Sequence, residues 1–293
     1  MPVRFSYLKH LARIISWLAL AALLQACSAV KLTYNQAPQL AYWYLDDYFD
    51  FSTVQRPALN DSLARVQQWH RQTELPGYID TLQKLQQQLP LEVAAEQACE
   101  VYAEGRRGLQ RIAEQMEPAA LEVVASLEAS QLAQLEKKFA KLNAKFRKDY
   151  VEGSPQALHA QRLNRAIKRT EMLYGKLEEG QLLRLENSIR SSSFSPSVNQ
   201  AERARRQQDT LQTLQSLLNE KTSEERAKTA VRALMQRHLR SPNPAFRSYE
   251  EGMALELCQT FAEVHNSTNP SQRLHAVQTL KKYAQDLRLL SQQ

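Results

Sequence analysis

Residues 131–146 read QLAQLEKKFAKLNAKF. Leu132, Leu135, Phe139, Leu142 and Phe146 recur at spacings of three and four, with lysine, glutamate and glutamine between them. That period gathers the apolar side chains on one face of a helix and leaves the charged ones opposite. The closing stretch repeats the device with Ala276, Leu280, Tyr283, Leu287 and Leu290. No segment alternates apolar and polar residues between hairpin turns. The predicted fold class is therefore all-α, an elongated multi-helix bundle of amphipathic helices.

Composition agrees. The chain has 293 residues, 43% of them apolar, enough to bury a core. Its 7 glycines are too few for the glycine-rich loops on which α/β nucleotide-binding folds depend. Ser154-Pro155 predicts an N-cap followed by proline at the first helical position, and Ser52 with Gln55 predicts a capping box. Pro57, Pro76, Pro90 and Pro118 are each expected to open or break a segment. Two stretches read as loops, 191–197 (SSSFSPS) and 241–244 (SPNP). The serine-rich one is the expected hinge between two helical halves.

The first segment carries an address. Arg4, Lys9, His10 and Arg13 precede an apolar run over residues 14–24, which is too short for a membrane-spanning helix of about 20 residues. The run ends in Leu24-Gln25-Ala26-Cys27, which resembles the lipobox of bacterial lipoproteins. That resemblance implies cleavage before Cys27 and acylation of its sulfur and new α-amine. The expected domains are a signal peptide over 1–26, a lipidated N-terminus and short tether over 27–37, and an all-helical periplasmic domain over 38–293. Stable anchoring takes more than one acyl chain, which the lipoprotein pattern supplies. Ser28 stands where an aspartate resembles an inner-membrane retention signal, so the expected location is the outer membrane, facing the periplasm.

Net charge is +7, of which Arg4, Lys9 and Arg13 provide three. The remainder is not a polyanion-binding excess, and no nucleic-acid partner is expected. With Cys27 lipidated, Cys99 and Cys258 are the cysteines left. In an oxidising compartment an even pair is what a disulfide requires; the alternative is two buried thiols.

A weak repeat runs through the chain. LEASQL at 127–132 and LEEGQL at 177–182 match at an offset of 50, continuing through Leu135/Leu185 and Glu136/Glu186. A degenerate Leu-x-x-x-Gln opening recurs as FSTVQ at 51–55 and TNPSQ at 268–272. Glutamine at the third position of a helix explains such a recurrence without any further role.

Two resemblances follow from these residues. Tyr34-Asn35, the run Tyr42-Trp43-Tyr44-Leu45-Asp46-Asp47-Tyr48, Trp69-His70-Arg71 with Glu74-Leu75-Pro76, and Arg162, Arg165 and Arg169 ahead of Gly175-Lys176-Leu177 together resemble a family of uncharacterised proteobacterial lipoproteins, defined as a domain of unknown function. It implies no activity. The Leu-x-x-x-Gln openings are similar to the LTxxQ motif of periplasmic helical chaperones and envelope-stress inhibitors, with Glu128 and Glu178 in place of its threonine.

Candidate chemistry is sparse. Tyr42, Trp43, Tyr44, Tyr48, Phe49 and Phe51 form an aromatic belt close behind Cys27, readable as a membrane-interface girdle or as the first core-packing helix. His70 and Glu74 stand one helical turn apart, but no other histidine completes a metal set. Arg162, Arg165, Lys168 and Arg169 share a helix face, readable as an anion-docking face or as a solvated face balanced by Glu171, Glu178 and Glu179. No catalytic or phosphate-binding motif is present, so neither an enzyme nor a cofactor is expected. The expected role is a lipid-anchored binding or scaffold protein of the cell envelope. Its partners would be the membrane, through the acyl chains, and an envelope protein or polymer. The alternative is an LTxxQ-like chaperone or holdase.

Overall fold

The computed structural model describes residues 30–219 and 223–293. The expected signal peptide over 1–26 and Cys27 lie outside the described residues. Residues 30–35 are helical. Eleven α-helices follow: α1 (Ala37–Phe49), α2 (Gln55–Trp69), α3 (Leu75–Gln88), α4 (Ala95–Ala125), α5 (Ala129–Tyr150), α6 (Pro155–Tyr174), α7 (Glu179–Ser191), α8 (Pro196–Asn219), α9 (Glu224–Leu239), α10 (Pro244–Asn266) and α11 (Pro270–Ser291). A five-residue π-helical turn, His70–Glu74, joins α2 to α3. The described residues contain no strand. The fold is an all-α multi-helix bundle.

Local chemistry accounts for the helix ends. The Ser154 side chain accepts from the Ala157 N–H, and Pro155 opens α6 as predicted. The Ser52 N–H donates to Gln55 Oε1 at 3.0 Å, and the Gln55 N–H to Ser52 Oγ at 3.4 Å, closing the predicted capping box. Gly175 ends α6 at φ +74, a backbone that side-chain-bearing residues rarely adopt. Pro76 has no N–H to donate, and the turn before it widens so that the Leu75 N–H reaches back to the His70 carbonyl. Pro118 departs from expectation. It sits inside α4 without ending it, because neighbouring Met116, Ala119 and Val123 pack on or into the core and hold the helix together.

Two cores form. In the first, Tyr42, Phe51, Leu59 and Leu63 pack with Met116 and Val123. Leu127, Leu132, Leu135 and Leu214 continue it through Phe49. The second core gathers Leu89, Tyr174, Leu177, Leu185, Val264, Ala276 and Leu280. The 31-residue α4, about 46 Å long, contributes Met116, Val123 and Val124 to the first core and carries Cys99 near its other end. Cys99 is bonded there to Cys258 of α10, with the Cα atoms 5.3 Å apart. Part of the aromatic belt packs in the core, as one of its two readings has it. Tyr42 and Phe51 are buried, whereas Trp43 and Tyr44 are exposed on α1.

The segment 191–197 is tied down along its length. Ser192 Oγ and the Ser193 N–H both donate to the Glu256 carboxylate at 3.0 Å, and the Ser195 N–H donates to Tyr249 Oη at 3.0 Å. Beyond it, α8 returns to the first core through Leu211, Leu214 and Leu218. The two cores are thus built from interleaved parts of the chain, and segment 191–197 does not divide them.

Candidate functional site

The repeat resolves into paired helix starts. In each member the glutamine Oε1 accepts the N–H of the residue three positions earlier: Ser52 to Gln55, Glu128 to Gln131, Glu178 to Gln181 and Asn269 to Gln272. The side-chain amides then pair across helices. Gln181 and Gln272 exchange Nε2–H···Oε1 bonds of 2.7 and 2.9 Å, and Gln55 and Gln131 exchange bonds of 3.1 and 2.8 Å. Spare N–H groups of Gln181 and Gln272 reach the Ser267 and Lys176 carbonyls, while Gln55 reaches that of Ser126. Every donor and acceptor position of Gln181 and Gln272 is used. The leading residues Phe51, Leu127, Leu177 and Thr268 are all buried. These motifs hold helices to one another and leave nothing to offer a ligand.

The His70–Glu74 pair is likewise committed. His70 Nδ1 bonds Tyr34 Oη at 2.8 Å. Glu74 is buried and accepts a fork from Arg111 at 2.8 and 2.9 Å, which holds its carboxyl below the usual carboxylate range against the opposing effect of burial. No cluster of metal-ligating side chains occurs among the described residues. The arginines of α8 are also engaged. Glu202 accepts from Arg205 and Arg206, each at 2.8 Å, and Arg203 lies over the Phe146 ring.

A groove where α6, α7 and α10 meet differs from all of these. It has a cavity volume of about 460 Å³, within the usual range for small-ligand sites. Its walls are apolar, from Leu173, Leu185, Ile189, Leu257, Phe261 and Val264, and one edge carries Arg162, Arg165 and Arg169. Those three arginines fall three and four residues apart on α6, so helical geometry alone lines them up. Lys168, grouped with them in sequence, is exposed and does not line the groove. Arg162 stacks on Phe194 at 4.5 Å, and Arg165 on Tyr150 at 4.7 Å while donating to Tyr150 Oη. Burial lowers the Arg162 pKa from the ordinary arginine value, with Tyr249 and Glu256 opposing the shift.

The acids expected to balance this face do not meet it. Glu171 accepts from the Leu177 N–H and Glu178 from Asn269 Nδ2. Among the described residues, no ion pair joins Arg162, Arg165 or Arg169 to a carboxylate. The far wall is fixed by the disulfide, since Met253, Glu256, Leu257 and Thr260 line the groove and Cys258 on the same helix bonds to α4. That wall was not legible in the sequence, where α10 begins 70 positions after α6 ends, at 244 against 174.

A family described as a family of unknown function, DUF6279, matches residues 47–242, more than half of the chain. The chain belongs to that family. The matched segment of this DUF6279 member takes in α6 and α7 with the three groove arginines, and stops before α10. No curated protein and no solved structure matches the chain.

Proposed function

We propose that this chain is a lipid-anchored, periplasm-facing helical protein of the cell envelope that works by binding, and that the α6–α7–α10 groove is its binding surface. The observation that carries the reading is an apolar groove edged by three guanidiniums, none of which forms an ion pair with a carboxylate among the described residues, Glu256 alone acting on Arg162 from a distance. Everywhere else that sequence alone singled out chemistry, the polar groups are engaged within the chain.

The location rests on sequence: a basic flank, a short apolar run, and Leu24-Gln25-Ala26-Cys27 followed by Ser28. We infer acylation of Cys27, placement at the outer membrane, and kinship with proteobacterial lipoproteins. The Cys99–Cys258 bond supports an oxidising compartment. Among the described residues no helix is long and apolar enough to cross a membrane. The holdase alternative has less support. Its motif glutamines are consumed in helix pairing, and the groove is of small-ligand size rather than that of an unfolded segment.

Two measurements test the reading. Metabolic labelling with an alkyne fatty acid is expected to mark the wild-type chain and not Cys27→Ala; label retained on the variant overturns the anchor. A photo-crosslinking amino acid at Leu257, exposed on the groove rim, is expected to give a defined adduct in intact cells. The same group at Val54, exposed outside the groove, is expected to give none. Equal adducts at both positions, or none at Leu257, refute the groove as the binding surface.

A further inference from the structure

We propose that the groove binds a single-chain anionic amphiphile, with its acyl chain along Leu173, Leu185, Ile189 and Phe261 and its carboxylate or phosphate held by Arg162, Arg165 and Arg169. This rests on the reading of the groove as the binding surface and specifies what that surface takes.

The groove has few free polar partners to offer. Every hydroxyl lining it already has a partner. Ser188 bonds Thr260, Thr170 the Ala166 carbonyl, Ser192 the Glu256 carboxylate, Tyr174 the buried His265, and Tyr150 accepts from Arg165. A peptide laid here would leave its backbone N–H and C=O groups unpaired against apolar walls, at a cost of about 1–3 kcal/mol each. An acyl chain has no such groups.

Charge supplies the other half. The lining holds three arginines and one carboxylate, Glu256, whose oxygens accept from Ser192 and Ser193. Arg162 and Arg165 each lie over an aromatic ring, and Arg165 spends one of its N–H groups on Tyr150 Oη, leaving the others of the guanidinium to a ligand. Arg169, next along the same face, is exposed and has no hydrogen bond or ion pair among the described residues. A ligand that is apolar along its length and anionic at one end matches this division. A neutral lipid would leave the arginines unanswered, and an inorganic anion would leave the walls empty.

The test uses the full-length chain, purified in non-ionic detergent and photolabelled with a diazirine analogue of palmitate. Label is expected on peptides of α6, α7 and α10. Excess palmitate or 1-palmitoyl lysophosphatidylglycerol is expected to displace it, and methyl palmitate, which has no charge, to displace it about tenfold less well. Competition by only one of the two anionic lipids supports the proposal and identifies a carboxylate or a phosphate as the head group. Arg169→Glu, at an exposed position, is expected to weaken labelling about tenfold with an unchanged thermal melt. Ala166→Trp, which fills the floor, is expected to abolish it. Label outside the groove, methyl palmitate competing as well as palmitate, or displacement by an acidic peptide but not by palmitate would each overturn the proposal. If photolabelling fails while the Leu257 adduct persists, the ligand class falls and the groove reading stands; failure of both removes both.

Discussion

The two glutamine locks share one chemistry and differ in depth. Gln181 and Gln272 meet in the second core, both buried, and are anchored on two backbone carbonyls, those of Ser267 and Lys176. Gln55 and Gln131 meet at the edge of the first, where Gln131 is buried but Gln55 is half-buried and its carbonyl partner Ser126 is exposed. An amide dimer buried on both sides has no water to fall back on, whereas the half-buried Gln55 side of the other exchanges its bonds with solvent at less cost. The second core is further held by the Cys99–Cys258 bond and by His265, whose ring bonds Tyr174 on one side and the Leu91 carbonyl on the other. Helix starts of one pattern thus acquire different weights from the burial of their partners and from what else ties each core together.

The largest expected effect tests the covalent difference. Cys99→Ser/Cys258→Ser is expected to lower stability by about 2–5 kcal/mol in denaturant unfolding. Hydrogen exchange should rise in α7 and α10 before it rises in α2 and α5. Uniform loosening would mean that the bridge does not favour one core. Next come the locks themselves. Gln272→Leu orphans the Gln181 amide and the Lys176 carbonyl, for an expected cost of about 1–3 kcal/mol. Gln55→Leu is expected to cost less, about 1 kcal/mol, since water replaces it at the exposed Ser126 carbonyl while only the buried Gln131 amide loses a partner. Equal costs from the same unfolding measurement would break the comparison.

The smallest effect is a pH dependence. Burial lowers the pKa of His265 from the ordinary histidine value, and the same cause acts first on His70 and His238. The unfolded chain therefore binds these protons more readily than the folded one. Stability is complete above about pH 6.5 and falls as the pH drops through that value toward the folded pKa. Thermal melts between about pH 7.5 and about pH 5.5 should show the midpoint falling, and His265→Gln should flatten part of the slope. A midpoint that rises on acidification contradicts the neutral, doubly bonded imidazole.

Much of this was legible in the chain. The stripe over residues 131–146 became α5, with Leu132 and Leu135 in the core, and Ser154-Pro155 opened α6 where capping chemistry placed it. Local rules work there because they act within one helical turn. Pro118 was misread because its effect is not local: a long helix held by buried side chains on either side of the proline tolerates the lost bond. The arginine face was visible on α6, but its apolar partner wall was not. Periodicity says that Leu257 and Phe261 share a helix face, and says nothing about which helix that face meets.

The sequence by itself determined that the chain is helical, where most of its helices begin, and which side of each is apolar, because propensity, capping and period are properties of neighbouring residues. Only the packing of distant helices decided that Gln181 finds Gln272, that Cys258 reaches Cys99, and that three arginines edge an apolar groove with no ion pair among the described residues. Those outcomes depend on how helices cross, and a crossing is settled by close packing between residues far apart along the chain.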